Sequence, residues 1–110
     1  MRLPSGWSKT VDRKGELDQI KDDMAHGSGA SLNVVLSYER KNDDGVTVDK
    51  IDVVMEEDID GGFEYYWRYD DYSGGQLEYE YDVFGSTLSS FDKARSSALK
   101  KVEVVDDNRQ

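Results

Sequence analysis

Residues 61–85 read GGFEYYWRYDDYSGGQLEYEYDVFG, two runs of alternating character separated by a Gly-rich break. In the first run Phe63, Tyr65, Trp67 and Tyr69 alternate with Glu64, Tyr66, Arg68 and Asp70; in the second, Leu77, Tyr79, Tyr81 and Val83 alternate with Glu78, Glu80 and Asp82. A period of two marks a strand with one face in the core and the other in solvent. The stretch therefore predicts two antiparallel strands, rings inward and carboxylates outward, joined through DYSGG at 71–75.

The same pattern extends upstream. SLNVVLSYER at 31–40 sets Leu32, Val34, Leu36 and Tyr38 against Asn33, Ser37 and Glu39, and KIDVVMEE at 50–57 sets Ile51, Val53 and Met55 against Asp52, Val54 and Glu56. Val46 and Val48 are one residue out of phase with Ile51, which predicts a bulge near Asp49 and Lys50. Turn signals at HGSG 26–29, NDDG 42–45 and DIDGG 58–62 separate the runs. Tight turns join antiparallel neighbours, so the strands form a four-stranded meander. Its apolar face needs a cover. Phe91, Ala94, Ala98, Leu99 and Val102 form one helical stripe after Ser89 and Ser90 as candidate N-caps, with Lys100 and Lys101 near the end where the macrodipole favours cations. Leu17, Ile20 and Met24 predict a second helix from about Asp12 to Ala25, closed by Gly27 and weakened at its start by Gly15. The expected fold is α+β: an N-terminal helix, the meander, and a C-terminal helix packed on one face of the sheet. With 110 residues it is one domain, spanning 1–105, with 106–110 a frayed tail.

The absence of cysteine excludes disulfides, thiolate catalysis and cysteine-bound metal. MRLPSGWSKT lacks the apolar segment of a secretory signal, and no run approaches the roughly 18 apolar residues of a membrane span. The expectation is a soluble cytoplasmic protein without membrane contact.

The net charge of −10 opposes direct binding to nucleic acid, and its distribution is uneven. Residues 1–41 hold 7 basic and 6 acidic side chains, residues 42–82 hold 2 and 14, and residues 83–110 hold 5 and 4. All the net acidity therefore lies in the middle segment. Nine of twelve aromatics lie between Phe63 and Phe84, and most of them are expected in the core; Tyr66 and Tyr72, by parity or loop position, should face solvent. Like charges opposite one another on a sheet are destabilising, so a face of carboxylates asks for a reason. The expected reason is a partner-binding surface made of Glu56, Glu64, Tyr66, Asp70, Asp71, Tyr72, Glu78, Glu80 and Asp82.

Its expected partner is a basic protein surface, in the sharpest form that of a nucleic-acid-binding protein, which the carboxylates would block as a nucleic-acid mimic. The competing account is adaptation to high salt, consistent with 16 Asp against 8 Glu and only 8 Lys. A divalent-cation site in DIDGGFE, using Asp58, Asp60 and Glu64, lacks the twelve-residue calcium-loop pattern. Catalysis has little support. His26, the single histidine, sits at a helix end, and no nucleophile, phosphate-loop or dinucleotide motif is present. No cofactor, metal or catalytic residue is expected.

Overall fold

The computed structural model describes residues 3–27, 32–57, 63–72, 78–84 and 88–109, with side chains described except over 78–84 and 88–89. The four expected strands are present in the expected order: β2 (Leu32–Lys41), β3 (Thr47–Glu57), β4 (Phe63–Asp71) and β5 (Glu78–Phe84). The sheet gains a fifth strand at its β2 edge, β1 (Trp7–Asp12), and all neighbours are antiparallel in the order β1-β2-β3-β4-β5. WSKTVD gave no strand signal because it has almost no apolar alternation: Trp7 alone is buried. Backbone pairing to β2, from Trp7 opposite Arg40 to Asp12 opposite Leu36, defines it instead.

Because β1 runs to Asp12, the first helix starts later than expected. A 3-10 turn at Lys14–Glu16 leads into α1 (Leu17–Ala25). Gly27, at φ +67°, closes it with its N–H on the Met24 carbonyl. At the other end, α2 (Leu88–Asn108) begins before Ser89 and Ser90, which lie inside its first turn.

The helical stripe holds. Phe91, Ala94, Ala98 and Val102 are fully buried and Val105 nearly so, packed with Leu17, Ile20 and Met24 of α1 against Ile51, Val53, Met55, Tyr65, Trp67 and Tyr69 of the sheet. Both helices thus cover one face. Tyr65 meets Phe91 edge-on at 5.4 Å between ring centres, and the Trp67 indole N–H donates to Ser97 Oγ at 2.8 Å. Burial pushes the Tyr65 hydroxyl up to about 12, with the Asp18 charge adding to the effect.

Two bulges reset the parity read from sequence. The register shifts between Val34 and Leu36, so Val35 joins the core while Leu32 and Val34 move to the opposite face. The Val35 carbonyl, free of the regular ladder, accepts the Arg13 N–H at 2.7 Å. A second shift falls where Arg40 opposite Asp49 gives way to Lys41 opposite Thr47, which puts the extra residue at Val48, next to the expected position. The hairpin there closes on Asn42, whose side chain accepts the N–H groups of Asp44 and Val46, with Gly45 at φ +79°.

Candidate functional site

The sheet face away from the helices is built of four rungs across β2, β3 and β4. They read Leu32–Glu56–Glu64, Val34–Val54–Tyr66, Ser37–Asp52–Arg68 and Glu39–Lys50–Asp70. Successive rungs are two residues apart on β3 and β4, hence about 6.6–6.8 Å along the strands. An acidic rung is followed by an apolar one, then by two of mixed sign.

The mixed rungs are internally matched. Arg68 Nη2 donates to Asp52 Oδ2 at 3.2 Å and its Nε lies 3.6 Å from Asp70, while Lys50 Nζ approaches Asp52 at 3.8 Å. Asp52 is fully buried and Asp70 nearly so. Burial raises the Asp70 carboxyl above its ordinary value despite the nearby Arg68. The Arg68 guanidinium is pulled down by its own burial, yet its two carboxylates more than offset this and raise it. Satisfaction is incomplete: Ser37 Oγ, Asp52 Oδ1 and Arg68 Nε are buried without a hydrogen-bond partner.

Three expected surface residues are therefore placed differently. Tyr66 is buried, because the bulge at Val35 brings Val34 onto its rung beside Val54 and gives the ring an apolar strip to lie on. Asp70 is consumed by Arg68. Asp71 belongs to the helix-covered face, where Arg109 Nη2 donates to it at 2.9 Å. Tyr72 is exposed, as expected, at the end of β4.

The β5 positions are described by their register alone. Register places Glu78, Glu80 and Asp82 opposite Asp71, Tyr69 and Trp67, the rungs of the helix-covered face, and Tyr79, Tyr81 and Val83 opposite Asp70, Arg68 and Tyr66. Alternation alone does not give this register. The side chains of these residues lie outside the described residues, as do Asp58 and Asp60.

What remains on the candidate surface is the Glu56–Glu64 rung. Both are half-buried, directly opposite one another, and neither makes an ion pair or hydrogen bond among the described residues. Nothing in the alternation sets this pair apart from its neighbours, because the distinction lies in which cations fold back.

A second cluster, invisible in the sequence, ties the C terminus down. Asp49 is fully buried and accepts Arg40 Nε at 2.7 Å, the Tyr69 hydroxyl at 2.7 Å, and Arg109 Nη2 and Nε at 2.9 and 3.3 Å. Burial alone would raise its carboxyl, but the bonds from Arg109, Tyr69 and Arg40 outweigh that and hold it below the usual value. The Trp7 indole N–H reaches Asp106 Oδ1 at 3.3 Å. The described part of the 106–110 tail, expected to fray, thus continues α2 and is pinned to Trp7 of β1 and to Asp49 and Asp71 of β3 and β4.

Among the described residues no group of three His, Cys, Asp or Glu side chains has the geometry to hold a metal, and no helix is long and apolar enough to cross a membrane. His26 is exposed at the end of α1, its Nδ1 2.8 Å from the Asp22 carbonyl oxygen. Comparison of the chain with protein-family models, with curated proteins and with solved structures finds no match.

Proposed function

We propose that the chain is a non-catalytic binding protein of the cytoplasm that engages a basic protein surface through its helix-free sheet face. The observation that supports this reading most is the Glu56–Glu64 rung, a like-charge pair without a cation among the described residues, in a fold that supplies one for Asp49, Asp52, Asp70 and Asp71. Directly opposed like charges destabilise a ladder, and a partner's Lys or Arg would remove that penalty on binding. A protein whose basic surface normally holds nucleic acid is the target this charge favours.

The test is affinity capture from the native host's lysate at low salt, using three forms of the chain. Wild type and a control with Asp43 and Asp44 changed to Asn should retain the same basic protein, and Glu56→Gln/Glu64→Gln should lose it while keeping its fold. Capture should weaken as salt shortens the Debye length to about 8 Å and below. Equal capture by all three forms overturns the proposal. Salt adaptation would then be the better account, and it makes its own demand: folding that fails in dilute buffer and is restored by molar potassium chloride.

A further inference from the structure

Where β1 and β2 meet α2, away from the face just described, the structure has a cleft of about 680 Å³. That size falls among small-molecule sites, which span about 300–1,000 Å³. Its lining is the reverse of the protein's overall charge. Lys9 of β1 and Arg95 and Lys100 of α2 surround it, Leu3 and Leu99 supply apolar wall, and Glu103 is the carboxylate among the lining residues described. Lys9 is held by Asp12 at 2.7 Å and Arg95 by Asp92 at 3.2 Å, each through one ion pair that leaves further N–H donors, and the Arg95 guanidinium also lies 5.9 Å from the centre of the Phe91 ring. Lys100 makes no ion pair among the described residues.

The second observation is Tyr38, which lines the cleft although it is only 4% exposed. Its ring belongs to the core, and its phenol lies in the field of Lys9, Arg95 and Asp12. The hydroxyl makes no hydrogen bond among the described residues. The hydroxyl is not among the sealed, unpartnered polar atoms of the fold, so it is left as a donor open to the floor of a cleft with an apolar side.

We propose that this cleft binds a small organic anion, a carboxylate or phosphate on an apolar body, with the oxyanion held by Tyr38, Arg95 and Lys100 and the body against Leu3 and Leu99. Arg95 supplies a planar fork suited to either head group, and Tyr38 supplies a directional donor. The −10 charge of the whole chain disfavours loose anion binding, so occupancy requires donors that converge.

The experiment is an amide NMR titration of the full chain with benzoate, phenyl phosphate, inorganic phosphate and benzyl alcohol. One or both aromatic anions should saturate below about 10 mM, moving the amides of Lys9, Tyr38, Arg95 and Leu99, and the tighter of the two identifies the head group. Inorganic phosphate and benzyl alcohol should bind at least about tenfold more weakly, since each keeps only half of the recognition. Tyr38→Phe and Arg95→Gln should each weaken the anion by about five- to tenfold. Lys93→Gln, on the exposed side of α2, should leave it unchanged. Should Tyr38→Phe perturb the core, Arg95→Gln and Lys100→Gln at the rim carry the comparison. Failure of both aromatic anions to saturate, an equal effect of Lys93→Gln and Arg95→Gln, or benzyl alcohol matching benzoate would each overturn the proposal.

Discussion

Asp49 and Asp71 face each other at one end of the β3–β4 ladder, and Glu56 and Glu64 face each other near the other end. Both rungs set carboxylate against carboxylate, yet their treatment is opposite. The first lies on the helix-covered face, where Asp49 is fully buried, and Arg40 and Arg109 converge on it from 9 and 60 residues away in sequence. The second lies on the helix-free face and receives no cation among the described residues. Burial makes the difference: a carboxylate removed from water must be paired, whereas a partly solvated pair is screened and can stay repulsive. Charge spent on the fold and charge left at the surface therefore look alike in sequence and separate only in three dimensions.

The largest effect should come from breaking the buried end. Asp49→Ala leaves Arg40, Arg109 and the Tyr69 hydroxyl without their shared acceptor, and should lower stability by about 3–5 kcal/mol, measured by urea unfolding. A loss below about 1 kcal/mol would mean that solvent reaches the site and the comparison fails. Acid sharpens it. The folded-state carboxyl of Asp49 is held below its ordinary 3.8, so its contribution is complete above that pH and is lost as pH falls further through the depressed value. Asp70 has the opposite sign, since its folded value is raised and protonation favours the fold as pH falls toward 3.8. Asp49→Asn should flatten the acid limb of the stability curve, and Asp70→Asn should steepen it.

Next in size is Arg109→Gln. Its Nη2 bridges Asp49 and Asp71 at 2.9 Å each, but the side chain is 29% exposed, so the expected loss is about 1–2 kcal/mol. Hydrogen exchange should show the last turn of α2 losing protection before the rest of the helix. Unchanged protection there would return the tail to the frayed state that its polar sequence suggested.

How much of this was legible follows from which interactions are local. The β3 alternation of Ile51, Val53 and Met55 and the α2 stripe of Phe91, Ala94, Ala98 and Val102 were readable because periodicity is set by backbone geometry and one buried face. Strand β1 was not, since an edge strand with one buried ring is held by β2's hydrogen-bonding groups rather than by its own pattern. Parity failed where a bulge intervened, since Val35 turned Leu32 and Val34 around, and the β4–β5 register, which sets Glu80 across from Tyr69, is not written in the alternation of either strand. The candidate surface suffered most from this, because each carboxylate's role depended on a register and on an arginine distant in sequence. Arg109 neutralises two aspartates of a segment that contains only Lys50 and Arg68 as cations of its own.

The smallest effect tests the Glu56–Glu64 end. Glu64→Gln keeps the shape of the side chain and removes one of two charges that face each other across β3 and β4. Cross-strand pairs are worth roughly 0.2–1 kcal/mol, with like charges at the unfavourable end. Both glutamates are only half-buried, so the gain in stability should be a few tenths of a kcal/mol, larger in dilute buffer than at 1 M salt, where the Debye length is about 3 Å. Glu56→Gln should give the same gain, and the double variant should gain less than the sum, because the second change finds no repulsion left to relieve. That non-additivity is the signature of a direct pair. Two additive gains would mean that each glutamate responds to the general negative field, and the rung would lose its standing as a site distinct from the rest of the acidic segment.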